Sequence, residues 1–173
     1  YNLFKDDTVG SISGSGQINL GSSTLTVGND NSSQTFSGVI SQAGSLIKIG
    51  SGTLELSGSN TYSGNTSVKA GSLKITGVPA NTSNIDVASG AVIEFDTNLD
   101  NRTYSGVISG DGSLKKTSKN QLELSGANTY TGATTITSGR LDVSGSLSDS
   151  TAVVVGGSGT YGLSKDDTVG SIS

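Results

Sequence analysis

The chain contains a long internal repeat, and this repeat limits the possible folds more than any other feature. Residues 35–75 and 103–143 align at a 68-residue offset, with 22 of the 41 compared positions identical. We interpret residues 35–102 and 103–170 as two copies, and residues 10–34 as a degenerate third copy. A period of this kind is typical of solenoids, in which each structural unit contacts only its neighbours.

The two ends of the chain repeat each other as well. Residues 1–13 and 161–173 agree at 11 of 13 positions, at a 160-residue offset. We therefore predict one full 160-residue period, repeated in tandem in the parent protein, with residues 1–173 forming a single segment. Equivalent isoleucines mark successive steps of 28, 68 and 64 along the sequence, which together make 160: Ile12, Ile40, Ile108 and Ile172.

Short apolar pieces recur along the whole chain and predict β-strands. Residues 54–56, 73–75 and 85–87 alternate between apolar and polar side chains, as half-buried strands do. Strands of three or four residues need neighbours, and stacking them turn upon turn supplies those neighbours. We predict an all-β, right-handed parallel β-helix, a single-stranded coil of about seven or eight turns. A sandwich or closed barrel is the alternative, but those folds have longer strands and no 68-residue copy.

The composition excludes several classes of function. Charged residues make up 14% of the chain and the net charge is −4, which argues against a nucleic-acid partner. Cysteine is absent, so the sequence has neither disulfides nor thiolate metal ligands. Histidine is absent too, which removes the commonest general base. No apolar run approaches the ~20 residues of a membrane-spanning helix.

One long motif carries a family resemblance. Residues 44–66 read GSLIKIGSGTLELSGSNTYSGNT, and residues 112–134 retain most of these positions. The motif resembles the passenger-associated transport repeat of bacterial autotransporters. The second copy departs from the pattern at residues 118–121, where SKNQ replaces the GSGT of residues 50–53.

The resemblance implies a secreted passenger domain. Such passengers cross the outer membrane through a C-terminal translocator barrel, which we expect in the parent protein, and fold into β-helices at the bacterial cell surface. Many relatives are adhesins or act in autoaggregation and biofilm formation. The resemblance therefore implies host or bacterial surface glycans, or self-association, as partners.

Acidic clusters are the candidates for catalysis, because enzymatic β-helices use carboxylates beside basic groups on one face. The clusters are Asp6-Asp7, Asp96 with Asp100, and Asp166-Asp167. The first and last are copies of one turn, which favours a solvated corner. The two arginines, at positions 102 and 140, have no evident partner motif. We predict no catalytic, cofactor-binding or metal-binding residues, no cofactor, and no enzymatic activity.

Three further patterns have both a structural and a functional interpretation. Residues 28–31 and 96–101 are rich in oxygen ligands for calcium, but we favour Asx turns because the nonapeptide calcium repeat is absent. Tyr62 and Tyr130 are either exposed ligand platforms or parts of corners at the edge of the core, and we favour corners. The TTIT sequence at 134–137 is similar to an ice-binding ladder, but it occurs only once.

Three functions remain open at this point. The first is a structural stalk that carries a binding tip away from the cell. The second is adhesion through flat polar faces rich in Ser, Thr and Asn. The third is binding or degradation of polysaccharide on a β-helix.

Overall fold

The computed structural model describes residues 1–79, 83–96, 100–163 and 168–173. Every regular element in these ranges is a β-strand. No helix in the described part of the chain is long and apolar enough to cross a membrane. The strands are β1 Asp7–Val9, β2 Gln17–Asn19, β3 Thr24–Val27, β4 Gln34–Phe36, β5 Val39–Ser41, β6 Ser45–Lys48, β7 Thr53–Leu56, β8 Thr66–Val68, β9 Ser72–Ile75, β10 Ile85–Val87, β11 Val92–Phe95, β12 Arg102–Tyr104, β13 Ile108–Ser109, β14 Ser113–Lys116, β15 Gln121–Leu124, β16 Thr134–Val143, β17 Ala152–Leu163 and β18 Ser171–Ile172.

The strands stack in parallel, and each pairs with strands one turn before or after it. Along one ladder the successive partners are Leu54↔Leu73, Leu73↔Ile93 and Ile93↔Leu114. One turn therefore contains roughly twenty residues, which is a usual length for a solenoid repeat. Such pairing makes about eight turns of a solenoid. The predicted all-β parallel β-helix with seven or eight turns is confirmed.

Each turn has three faces, which we number in chain order. The first face consists of β4, β7, β9, β11, β14, the first parts of β16 and β17, and β18. The second face consists of β2 and β5 and, in later turns, of β12, β15 and the second parts of β16 and β17. The third face consists of β1, β3, β6, β8, β10 and β13.

The core runs along the axis of the coil because side chains alternate between its inside and outside. In β7, Leu54 and Leu56 are buried while the residues between and before them are half-buried, and β9 and β15 repeat this pattern. Aligned inward positions place aliphatic side chains above one another from turn to turn. Two aromatic rings join this stack, and the centroids of Phe95 and Tyr104 lie 5.6 Å apart.

Positions related by the 68-residue offset lie on adjacent faces, not on the same face. Leu46 pairs with Leu25 on the third face, whereas Leu114 pairs with Ile93 on the first face. With roughly twenty residues in a turn, the offset is about three and one-third turns. The sequence shows the 68-residue offset, but the rotation depends on the number of residues in one turn, which the strand pairing shows.

Candidate functional site

The two Asn-Thr-Tyr segments occupy equivalent corners on different sides of the coil. Asn60 lies where the first face meets the second, and Asn128 lies where the second face meets the third. The side-chain oxygen of Asn60 accepts a hydrogen bond from the backbone nitrogen of Ile40 at 3.0 Å. Asn128 does the same for Ile108, also at 3.0 Å. Each asparagine thus satisfies a buried backbone donor of the preceding turn.

The two candidate ligand platforms are internal. Tyr62 is 5% exposed and Tyr130 is fully buried. The Tyr62 hydroxyl lies 2.6 Å from Oγ1 of Thr66, and the Tyr130 hydroxyl lies 2.5 Å from Oγ1 of Thr134. Burial raises the pKa of Tyr62 to about 12 and raises the pKa of Tyr130 as well. These contacts support the corner interpretation and contradict the exposed-platform alternative.

Two lysines point into the coil, a feature that sequence reasoning missed. Lys48 and Lys116 occupy the inward position two residues after a buried leucine, where strand alternation places them. The Nζ of Lys116 donates to the carbonyl oxygen of Ser118 at 2.5 Å and to its hydroxyl at 2.7 Å. The Nζ of Lys48 donates to the carbonyl oxygens of Ile49 and Gly50 at 2.6 and 2.9 Å. Each ammonium group therefore closes a corner by satisfying carbonyl groups.

Desolvation changes the acidity of both internal lysines. It lowers the pKa of Lys116 to about 8, and it lowers the pKa of Lys48 as well. The signal in the sequence was the K-x-G and K-x-S spacing just before a turn, at a position where an aliphatic residue would otherwise close the strand. Both side chains are buried, so neither amine is available to a substrate.

Outward glutamates connect three successive turns through hydroxyl groups. Glu123 accepts a hydrogen bond from Thr103 Oγ1 of the preceding turn at 2.9 Å. It also accepts one from Ser144 Oγ of the following turn at 2.6 Å. The first repeat copy contains the same arrangement, at Glu55, Thr35 and Thr76. These carboxylates therefore stabilise the stacking of the coil.

A ladder of alternating charges runs up the outside of the first face. Glu55, Lys74, Glu94 and Lys115 are successive register partners. Nζ of Lys74 lies 2.8 Å from Asp96 and 3.8 Å from Glu94, while Nζ of Lys115 lies 4.0 Å from Glu94. Opposite charges at the inter-turn spacing favour this register over a slipped one.

The acidic pair at the N-terminal end is bonded to neighbouring groups of the coil. Asp6 accepts a hydrogen bond from the backbone nitrogen of Thr24 at 2.8 Å, and Asp7 accepts one from the Tyr1 hydroxyl. The Tyr1 hydrogen bond, followed by that of the Thr8 backbone nitrogen, lowers the pKa of Asp7. The two carboxylates are thus engaged in separate contacts, as expected for a corner.

Of the other two acidic clusters, one forms ion pairs and the other lies outside the described residues. Asp96 forms an ion pair with Lys74, whereas Asp100 lies 3.6 Å from Arg102. These two carboxylates therefore have different basic partners. The cluster at 166–167 lies outside the described residues.

Both arginines have carboxylate partners that the sequence did not suggest. The NH2 nitrogen of Arg140 lies 2.6 Å from Asp142, which is also on β16, and its Nε lies 2.7 Å from the same oxygen. The partner of Arg102 is Asp100, likewise two positions away in the sequence. Side chains two apart on an extended chain share a face, which explains the pair on β16.

The first candidate calcium segment, residues 28–31, forms hydrogen bonds with neighbouring residues and with the next turn. Asp30 accepts hydrogen bonds from the backbone and hydroxyl groups of Ser32 at 2.9 and 2.8 Å. Asn31 adopts a positive φ of 58° and accepts a hydrogen bond from the Ser51 nitrogen. Segment 96–101 is described only at its ends. Among the described residues, no group of three acidic, His or Cys side chains is placed to hold a metal ion.

The TTIT sequence does not form an outward threonine ladder. Thr134 is buried and bonded to Tyr130, and Ile136 is buried as well, so the outward residues here are the other two threonines. Thr135 is followed on the next turn by Val154. The outward row therefore changes chemistry after one step.

A shallow polar depression lies on the outside of the first face. Its volume is about 480 Å³, and it is lined by Ser33, Gln34, Thr35, Thr53 and Glu55. Hydroxyl, amide and carboxylate groups of this kind form hydrogen bonds with sugars.

The comparisons with known proteins agree with this architecture. The family described as passenger-associated-transport-repeat matches residues 46–75 and 114–143, the segments that contain the internal lysines, outward glutamates and corner tyrosines. The chain is 35% identical over 159 residues to "Adhesin BmaC autotransporter" of Brucella suis biovar 1 (strain 1330). That alignment covers 72% of this chain and 5% of the relative. No solved structure gave a significant match. The chain belongs to the autotransporter passenger domains that contain passenger-associated transport repeats.

Proposed function

We propose that this segment is a rigid shaft of an autotransporter passenger displayed on the bacterial surface, with adhesive contacts along its side. The main support for this proposal is that many polar side chains bond one turn of the coil to another. The outward glutamates, the corner asparagines and the internal lysines all hold one turn against the next or close a corner within a turn. A chain built in this way resists bending, and its polar groups serve the stacking of turns.

The stalk role follows from the geometry of the coil. About eight turns at the strand spacing of about 4.8 Å give a rod about 38 Å long. Each added period lengthens such a rod by the same amount without a new fold. Small-angle scattering tests this role on a chain lengthened by one period, because a stalk gains about 38 Å in its longest dimension without becoming wider.

The adhesive role is supported by the relative whose name describes an adhesin, although the chain corresponds to only 5% of that protein. It is also supported by the polar depression that includes Gln34 and Thr35. We expect surface glycans of host or bacterial cells, or identical rods, as the partners. Autoaggregation and biofilm formation follow if rods on neighbouring cells bind each other.

Beads coated with the purified chain test adhesion directly. A cysteine added at the C-terminus couples the chain in one orientation, since the sequence has no other cysteine. Adhesion predicts bead clumping, or retention of bacterial or host surface glycans, above albumin-coated beads. The variant Gln34→Ala/Thr35→Ala is expected to lose glycan retention, while exposed Asn29→Ala serves as the matched control. If the beads neither clump nor retain glycans, the adhesive role is contradicted and only the stalk role remains.

Polysaccharide degradation is the competing function. Incubation of the chain with polyuronates and neutral glycans, followed by measurement of new reducing ends, separates degradation from binding. We expect no turnover, because carboxylates such as Asp6, Glu123 and Asp142 are already bonded to backbone, hydroxyl or basic groups of the coil.

Surface display is proposed for the parent protein, through a C-terminal translocator in the outer membrane. Protease treatment of intact cells that produce the parent tests this location. Release of fragments containing residues 46–75 from whole cells is the expected result, and resistance until the cells are lysed would contradict it.

A further inference from the structure

The equivalent isoleucines of the repeat lie on the three faces in order. A bridge joins Gly14 to Phe36, so Ile12 lies on the first face, level with the start of β4. Ile40 pairs with Ile18 on the second face. The first step of the repeat therefore moves the equivalent position by one face.

The later isoleucines continue this movement. Ile108 pairs with Ile85 on the third face. Ile172 pairs with Val153 on the first face, the face on which Ile12 began. The equivalent position has therefore visited every face and come back to its start.

The steps between these isoleucines add up to a whole number of turns. The steps of 28, 68 and 64 correspond to about one and one-third, three and one-third, and three and one-third turns of the coil. Together they make about eight turns for the 160-residue period. Each step rotates the pattern by one face, and three rotations cancel.

The geometry points to a partner for the C-terminal edge of the coil: a second copy of the same 160-residue period, which continues the coil in phase. Its first turn has the sequence of residues 14–36. The occupant is specified because residues 161–173 repeat residues 1–13, and that sequence already pairs with residues 17–27 at the other end of this chain.

The contact that we infer is visible at the N-terminal end. The backbone nitrogen of Leu3 donates to the Asn19 oxygen at 2.9 Å, and the Asn19 nitrogen donates to the Tyr1 oxygen at 2.8 Å. Under this cover Leu3 is 6% exposed, whereas its equivalent, Leu163, is 42% exposed. The next turn would cover Leu163 as residues 17–19 cover Leu3.

The N-terminal end presents the complementary surface. A depression of about 510 Å³ opens into the core there, and its apolar lining includes Val9, Ile12 and Phe36. Ile172, the equivalent of Ile12, lies one turn above Val153. A preceding period would place its own equivalent of Val153 beneath Ile12 and close the depression.

In-phase continuation has a consequence for display. The equivalent positions of the repeat lie on all three faces within eight turns, and each face then repeats after about 38 Å. A long rod would therefore present the residues that all copies share in three directions around its axis. This inference concerns the geometry of the shaft and does not depend on adhesion.

The test is an extended chain in which residues 14–173 are added directly after Ser173. We expect one cooperative unfolding transition and a rod longer by about 38 Å in small-angle scattering. The matched control is the same extension without residues 14–20, which removes about one-third of a turn and shifts the added coil by one face. It is expected to show two transitions, or a bend.

A smaller extension keeps the test decisive if the long chain does not fold. Residues 14–36 alone, added after Ser173, supply a single turn. Hydrogen exchange at the Leu163 amide is then expected to slow at least about tenfold, because the added equivalent of Asn19 becomes its acceptor. Unchanged exchange at Leu163, or equal behaviour of the phase-shifted control, would overturn the inference.

Discussion

The side-chain oxygen of Asn128 lies 3.0 Å from the backbone nitrogen of Ile108, one turn earlier in the coil. A side chain here takes the place of a backbone acceptor at a corner. Its amide nitrogen also donates to the carbonyl oxygens of Gly126 and Ser146 at 2.9 and 3.1 Å. One asparagine thus links three consecutive turns.

Replacing this asparagine is expected to destabilise the coil. Asn128→Ala leaves the buried Ile108 donor unsatisfied, which costs about 1–3 kcal/mol of unfolding free energy. Urea denaturation followed by circular dichroism measures the change. Asn29→Ala, at an exposed position, is the control and is expected to stay within about 0.5 kcal/mol. Equal stability of the two variants would mean that the corner hydrogen bond is dispensable.

Lys116 predicts a stability that increases with pH. Its pKa is about 8 in the folded chain against an ordinary value of 10.5, so between these values the unfolded chain binds more protons. The free energy of unfolding therefore rises with pH in this window, by about 1–3 kcal/mol. Urea midpoints at pH 7 to 9.5 check the slope. Lys116→Met is expected to reduce the slope, whereas exposed Lys119→Met is expected to preserve it.

The buried tyrosines predict the opposite trend above pH 10. Burial raises the pKa of Tyr62 to about 12 and also raises the pKa values of Tyr104 and Tyr130. Since the unfolded chain releases these protons first, their contribution to stability is complete below pH 10 and falls as the pH rises further. The tyrosinate absorbance of these three residues should appear together with loss of strand signal, after that of the exposed Tyr1. Ionisation of all tyrosines in a folded chain would contradict the burial.

The glycine stack at the corner between the second and third faces predicts a steric penalty. A Cβ at Gly126 would lie 2.3 Å from the carbonyl oxygen of Gly106. Gly126→Ala is therefore expected to cost about 1–3 kcal/mol, because neighbouring backbone must move. Gly156 has nothing within 4 Å of the corresponding Cβ, so Gly156→Ala is the matched control. Similar thermal midpoints for both variants would contradict the close approach of the turns.

Much of the fold could be predicted from residue patterns. Alternating segments such as 54–56 and 73–75 predicted inward leucines, because strand side chains alternate with period two. The repeat predicted stacked turns, and the corner interpretation of Tyr62 agreed with its burial. The candidate residues were harder to predict, since the partners of Arg140 and Glu123 depend on which side chains share a face. The internal lysines were missed because a buried charge is unfavourable unless hydrogen-bond partners surround it. Only the folded coil shows that backbone carbonyl groups supply those partners.

The sequence by itself determined that the chain is a stacked β-structure with 68-residue and 160-residue repeats, because alternation and repetition are properties of residue order. Only the tertiary structure decided where the repeated segments lie around the axis. The packing of three faces sets the length of one turn. Because 68 residues are not a whole number of turns, equivalent residues such as Leu46 and Leu114 lie on different faces. Because 160 residues make about eight whole turns, Ile12 and Ile172 lie on the same face.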